Sequence, residues 1–383
     1  MHLICQQHTL AQSLNIINHA LAGKQYTLPI LSHVLLTTNE AGMLTLSGTN
    51  LEIGISLQLD AEILEPGTIA LPAKLFSEIV QNLAEARVEL CVSDEHPTKA
   101  RISTEHNKNS LQGMDSADFP KIPSCDQTTC PILFEATQLK EYINQIAFAA
   151  GFDDSRPVLT GILMRFCEAE LTLAASDSFR LAVRRVQREP NDDELMQSDI
   201  LIPVRAMIEL ARALPHEGKV EMRIAPDRSQ VHFHTAKLDL ISRLIEGTFP
   251  PFHGLVPATY TTRAVLDRAT LSAALKSAAL LAEAHTLLLT IKEPESELGN
   301  GAILIDASKE DLGNGQSILD ASVEGPAIQI RFGSKHLIDA LASISTPTVA
   351  LETTTYLKPG IIRPVGETAI SQLHVIMPMN KAS

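Results

Sequence analysis

Self-similarity at one spacing is the feature that most constrains this chain. LPILSHVLLTT (Leu28 to Thr38) resembles RPVLTGILMRF (Arg156 to Phe166), with Pro29 and Pro157 128 residues apart. LTLSGTN (Leu44 to Asn50) and LTLAASD (Leu171 to Asp177) follow at 127. GTIALPAKLFSEIVQNL, ending at Leu83, aligns with SDILIPVRAMIELARAL, ending at Leu214, at 131, which sets Pro72 on Pro203 and Lys74 on Arg205. Phe119-Pro120 and Phe249-Pro250 close the series at 130. A fainter third copy is collinear: HTLLLTI from His285, then IQIRFGSKHLIDALASI ending at Ile344, then Val349, as Val88 and Val220 follow theirs. A repeat of about 130 residues must be one folding unit used three times. The expected domains are 1–128, 129–258 and 259–383.

Each unit opens with an amphipathic helix whose apolar residues recur at three-to-four spacing. These are Leu10, Leu14, Ile17 and Leu21, then Leu139, Ile143 and Ile146, then Leu271, Leu275 and Ala279. Short β-type runs follow. A second helix comes next (Leu75, Ile79 and Leu83; Met207, Leu210 and Leu214; Leu337, Ile338 and Leu341), then more strands. A helix returning between strand runs without strict alternation predicts an α+β fold, two helices packed on antiparallel sheets in each of three similar domains. Asn300-Gly301 and Asn314-Gly315 read as turns, and Pro123 to Cys130 and Val256 to Thr262 as linkers.

Composition removes other classes. The longest apolar runs fall far short of the roughly 20 residues that span a bilayer, and the N-terminus shows no basic segment leading an apolar one. A cytoplasmic location is expected, with no membrane partner. Five scattered cysteines (Cys5, Cys91, Cys125, Cys130, Cys167) fit reduced thiols. No phosphate loop, nucleophile elbow or zinc-protease motif is present, so no catalytic residue, metal or cofactor is assigned. His232 and His234 share one face of a strand and read as a solvent-facing edge rather than metal ligands. Asp153, Asp154 and Asp177 form the one placed carboxylate group, read as a loop-fixing pair with Arg180 in preference to an acid and base. The net charge of −14 argues, taken whole, against an anionic partner.

The motifs also carry a resemblance. RPVLTGILMRFCEAELTLAASDSFRLAV (Arg156 to Val183) resembles the signature stretch of the bacterial DNA polymerase III beta subunit, the sliding clamp. LPILSHVLL, GTNLEIGI, FPKIP, FPPFHGLVP and VIMPM (Val375 to Met379) stand where that family has them, so the likeness spans the whole chain. It implies the DNA clamp fold and a non-enzymatic processivity factor. Two copies would join head to tail in a ring of six domains around duplex DNA, without reading its sequence. The implied partners are the DNA polymerase III catalytic subunit, an ATP-driven clamp loader and other proteins carrying a clamp-binding peptide. By position in the family, a hydrophobic peptide groove comprises Leu159, Ser176, Ser178, Phe179, Arg180, Leu181, Pro250, Leu255, Val375, Ile376, Met377, Pro378 and Met379. The dimer interface comprises Lys108 and Leu111 against Leu280, Leu281, Glu310 and Asp311.

The six helix candidates hold seven basic and five acidic residues, +2, leaving −16 on the rest. A lining that is not negative lets phosphates pass, and Lys24, Lys74, Lys140, Arg205, Arg212, Lys276 and Lys335 are the candidate contacts. Three departures bear on the groove: His253-Gly254 replaces a usually basic loop, Ser178 replaces a common glycine, and Asn380 to Ser383 extend the tail. A clamp-like scaffold that binds peptides without encircling DNA is the alternative reading, and an enzyme using Asp154 and Asp177 a distant third.

Overall fold

The computed structural model describes the chain except residues 22–27, 40–41, 85, 124–129, 154, 168, 188–197, 295–299, 367–371 and 380–383. Its first third runs β1 (His2–Gln6), α1 (Gln7–Leu21), β2 (His33–Thr38), β3 (Met43–Thr49), β4 (Ile53–Glu65), β5 (Thr68–Pro72), α2 (Ala73–Gln81), β6 (Arg87–Val92), β7 (Lys99–Ser103) and β8 (Lys108–Gln112). The second runs β9 (Ile132–Glu135), α3 (Ala136–Ile146), β10 (Gly161–Phe166), β11 (Glu170–Ser176), β12 (Arg180–Gln187), β13 (Ser198–Pro203), α4 (Val204–Ala213), β14 (Lys219–Ile224), β15 (Gln230–His234) and β16 (Leu238–Arg243). The third runs β17 (Thr262–Asp267), α5 (Arg268–Ala279), β18 (Thr286–Lys292), β19 (Gly301–Lys309), β20 (Gly313–Glu324), β21 (Ile328–Gly333), α6 (Ser334–Ala342), β22 (Thr348–Thr353), β23 (Gly360–Pro364) and β24 (Gln372–Ile376). One order, strand, helix, four strands, helix, three strands, is written three times. The proline match has a local cause: Pro29 and Pro157 each start a 3-10 turn leading into β2 or β10, where a fixed φ and a missing N–H cost nothing.

The chain forms two compact units, Met1–Glu141 with Arg205–Leu244, and Tyr142–Val204 with Ile245–Ser383. In the first, a sheet runs β8-β7-β6-β1-β4-β16-β15-β14-β9, with β3 also on β4 and β2 between β3 and β5. In the second the order is β13-β10-β11-β12-β24-β23-β22-β17-β20-β19-β18-β21. All pairings are antiparallel, and each sheet joins strands of two different repeats. β16 pairs with β4 from Leu238↔Leu57 to Ser242↔Ile53, and β12 with β24 from Arg180↔Ile376 to Arg184↔Gln372.

The α1 stripe Leu10, Leu14, Ile17 and Leu21 is buried, as are Leu139, Ile143 and Ile146 and also Met207, Leu210 and Leu214. α2 differs from expectation: Leu75 is exposed, and Phe76 and Val80 take the core. Its sequence holds two adjacent apolar stripes, and the space beneath the helix takes the one that starts at Phe76, while Leu83, the last residue of the expected stripe, is buried as well. In α5, Ala278 is buried in place of Ala279. Asn314-Gly315 is also no turn. Both residues sit in β20 opposite Ser308 and Ala307, and the chain reverses over Glu310 to Leu312, with Gly313 at φ 115°. β15 lies between β14 and β16, so His232 is buried and His234 bonds Asp239 at 2.6 Å on an interior strand rather than an edge. Among the described residues Cys5, Cys91, Cys130 and Cys167 are free thiols, and burial pushes that of Cys5 up to about 12. Cys125 lies outside the described residues, and no described helix is long and apolar enough to cross a membrane.

Candidate functional site

The site starts from the turn between β11 and β12. Ser176 Oγ donates to the Arg180 carbonyl (2.7 Å) and accepts from the Ser178 N–H (3.3 Å). Asp177 Oδ1 accepts the N–H groups of Phe179 (2.9 Å) and Arg180 (3.0 Å). A short polar side chain that captures backbone donors two and three residues on closes such a turn. Ser178 pays the steric cost, with φ at 80°, which is why glycine suits this position. The Ser178 hydroxyl accepts from Arg156 Nη1 at 3.0 Å.

The turn aims Arg180 inward. Its Nε donates to Asp177 Oδ2 (2.8 Å), its Nη1 to Asp339 Oδ2 on α6 (2.7 Å), and its guanidinium lies 5.3 Å from the centre of the Phe148 ring. The side chain is buried and doubly paired, the arrangement a buried cation requires. Burial alone would push the Asp339 carboxyl up, but hydrogen bonds from Lys335 and Arg180 outweigh it and hold it below the ordinary value. Burial, then the Arg180 charge, lowers His336. His374, wholly buried behind Phe148 with Nε2 near Ser343 Oγ and Gln372 Nε2 (3.0 Å each), is pushed down to about 3 by burial.

Against Arg180 opens a cavity of about 560 Å³. Pro157, Val158, Leu159, Leu181, Phe249, Pro250, Phe252, Leu255, Val375 and Met377 give apolar walls; Ser155, Arg156, Ser176, Ser178 and Arg180 supply one polar side. Phe249 and Phe252 meet edge to face at 6.1 Å, and His253 stacks on Phe252 at 4.7 Å. Arg165 braces that wall from behind: it grips Asp199 through two bonds (2.8 and 2.7 Å), approaches His253 Nε2 at 3.2 Å and lies 5.9 Å from the Phe252 centroid. An apolar slot with hydrogen-bonding groups along one side suits an extended peptide with apolar side chains.

The structure brings nine of the thirteen expected groove residues onto this cavity: Leu159, Ser176, Ser178, Arg180, Leu181, Pro250, Leu255, Val375 and Met377. Ile376 is placed elsewhere. Strand alternation turns it to the other face of β24, into the core of the third repeat. Phe179 is exposed beside the cavity, and its carbonyl accepts the Met377 N–H at 2.8 Å. Pro378 and Met379 do not line it; the Met379 N–H reaches the Arg331 carbonyl at 2.8 Å. Ser155, Arg156, Pro157, Val158, Phe249 and Phe252 line the cavity without standing in the expected set, although the RPVL and FPPF motifs contain all of them but Ser155.

Lys74, Arg205, Lys276 and Lys335 are exposed on their helices and Lys140 is half-buried; Lys24 lies outside the described residues. Two of these charges are already engaged: Arg212 Nη1 on Glu209 (2.6 Å) and Lys335 Nζ on Asp339 (2.7 Å). Of the expected interface, Lys108 and Leu111 sit in β8, which has a strand on one side only; Leu111 is buried. Leu280 is 77% exposed at the end of α5, Leu281 packs partly on the core, and Glu310 and Asp311 form the β19–β20 turn. Among the described residues no cluster of three or more His, Cys, Asp or Glu could hold a metal ion.

Three repeats of two helices on antiparallel sheet, with a peptide-sized groove, define a DNA-clamp fold. The N-terminal, central and C-terminal domain models of the DNA polymerase III beta subunit match residues 1–123, 134–251 and 253–380. The chain is 30% identical over 364 residues to a beta sliding clamp of Staphylococcus aureus, covering 92% of each, and 29% identical over 391 residues to that of Halalkalibacterium halodurans, covering 99% of each. Its structure is similar to the Bacillus subtilis DNA polymerase sliding clamp (TM-score 0.84, 26% identity, 100% of both chains) and to a DNA polymerase III beta chain from Streptococcus pneumoniae (0.85, 26%, 99% of this chain and 100% of that one). The chain belongs to the DNA polymerase III beta subunit family, the beta sliding clamps, whose role is non-catalytic.

Proposed function

We propose that two copies of this chain close head to tail around duplex DNA and tether a replicative polymerase by a peptide seated in the groove. The observation that carries this reading is the threefold writing of one strand–helix order on sheets with open edges. Among the described residues β8 is unpaired on one side, and β20 pairs with β17 only from Ser322 to Glu324, leaving Gly313 to Ala321 open along that edge. Open edges of this length invite strand pairing with another chain. Lys108 and the β8 backbone edge at Leu111, whose side chain is buried in its own copy, would then meet Leu280, Leu281, Glu310 and Asp311 on the other, with 1–128, 129–258 and 259–383 as the three ring domains.

The charge pattern supports the same reading. The six helices hold seven basic and four acidic residues, while the chain as a whole is at −14. Helices facing the duplex would present phosphates with a weakly basic wall, so topology rather than attraction holds the DNA and sliding stays easy. Lys24, Lys74, Lys140, Arg205, Arg212, Lys276 and Lys335 are the proposed passing contacts. Tethering raises the local concentration of a bound polymerase at its template, and a separate ATP-driven loader would open the ring. A protein working on bacterial chromosomal DNA would do so in the cytoplasm. The test has two arms. Solution mass at micromolar concentration should be that of a dimer, and protein loaded on nicked circular DNA should be retained until the circle is linearised. A monomer that dissociates equally from circles and linear DNA overturns the proposal.

A further inference from the structure

Two cations on different surfaces share one oxygen. Arg180 lines the groove and its Nη1 donates to Asp339 Oδ2; Lys335 Nζ, one turn earlier on α6, donates to the same atom, both at 2.7 Å. The Arg180 side chain is 9% exposed and that of Asp339 22%, whereas Lys335 is 74% exposed and open to a ligand from solvent. With Asp177, the group holds two positive and two negative charges. An anion that engages either cation therefore leaves Asp339 to the other one.

We propose that Asp339 couples the groove to the duplex-facing side of α6. A phosphate on Lys335 gives Asp339 wholly to Arg180, which then offers less to a carboxylate in the groove. A carboxylate on Arg180 gives Asp339 to Lys335, which then offers less to a phosphate. The two ligands oppose each other by the same factor in both directions, and an uncharged groove ligand feels neither. Asp339 touches neither ligand and is a positioning residue. The placement of phosphate at Lys335 rests on the clamp reading, whereas the groove half needs no DNA.

The test uses the full chain and two fluorescent probes, acetyl-Leu-Asp-Leu-amide and its Asn twin, in which apolar residues for the slot flank one carboxylate or its amide, followed by anisotropy. Lys335→Gln, an exposed change, should weaken the Asp probe about fivefold, within the usual range of such couplings, and leave the Asn probe unchanged. Asp339→Asn should tighten the Asp probe, and adding Lys335→Gln to it should then have no effect. Loading the protein on nicked circular DNA should reproduce the Lys335→Gln result in the parent and do nothing in Asp339→Asn. An Asp-to-Asn affinity ratio unmoved by Lys335→Gln overturns the shared anchor. A ratio that moves with Lys335→Gln but not when the protein is held on nicked circular DNA overturns the phosphate contact at Lys335. Failure of both probes to bind the parent sinks the groove reading and this coupling with it.

Discussion

The β3–β4 and β11–β12 turns are one structure with two sets of side chains. In the first, Thr49 Oγ1 donates to the Ile53 carbonyl (3.0 Å) and accepts from the Leu51 N–H (3.0 Å), while Asn50 Oδ1 takes the N–H groups of Glu52 (3.0 Å) and Ile53 (2.8 Å). Ser176 and Asp177 repeat every one of these bonds 127 residues later. The middle residue is left-handed in both, Leu51 at φ 71° and Ser178 at 80°. The difference lies in the spare oxygen and the fifth residue. Asp177 has a second carboxylate oxygen where Asn50 has an amide nitrogen, and it holds Arg180 where the first repeat has a buried Ile53. The backbone needs only the first two side chains, so the fifth was free to become a groove wall.

The largest expected effect separates the turns by function. Arg180→Ala should cost about 3 kcal/mol by breaking two part-buried ion pairs, and Ile53→Ala about 2 kcal/mol by leaving a cavity. Denaturant unfolding should find both destabilised, yet only Arg180→Ala should lose peptide binding in the groove, by tenfold or more. Equal binding loss in both would erase the distinction. Asp177→Asn keeps the turn and removes the ion pair, so it should cost about 1 kcal/mol, while Asn50→Asp in the first repeat should be close to neutral in the same unfolding assay.

Glycine at either left-handed position should stabilise by roughly 1 kcal/mol. Ser178→Gly also gives up the Arg156 bond, so its gain in thermal unfolding should be the smaller of the two. The weakest effect is that of acid. The depressed Asp339 carboxyl contributes stability that is complete above its unfolded value near 3.8 and is lost as pH falls through the lower folded value. Amide exchange at Phe179 and Arg180 should therefore quicken below about pH 4 relative to Glu52 and Ile53, whose turn holds no such pair. Parallel acid profiles would show that Asp339 does not support the second turn.

Much of this was legible because it is local. The α1 stripe, the match of Pro29 with Pro157, and the match of Thr49-Asn50 with Ser176-Asp177 all follow from bonds within a few residues. Other features depended on distant neighbours. Leu75 and Phe76 are equally good starts for an apolar stripe on α2, and only the space beneath the helix chose between them. Ile376 belongs to the VIMPM motif, but the pleat of β24 sends it away from Val375 and Met377. Asn314-Gly315 carries a strong turn signal, yet pairing with β19 holds it in β20 and moves the reversal to Glu310. Phe249 stands in the repeat and Phe252 in the FPPFHGLVP motif, without any sign that they would wall the cavity.

The net charge of −14 and the repeat of about 130 residues set the terms from the sequence alone: three like domains with acidity kept off the helices, because periodicity and composition are written residue by residue. The tertiary structure alone decided that strands of different repeats would share a sheet, β16 on β4 and β12 on β24, since pairing partners far apart in the chain leave no local signature. It also decided that Arg180 and Lys335, 155 positions apart, would meet on one oxygen of Asp339. An ion pair depends on where side chains arrive in space, and only packing brings them there.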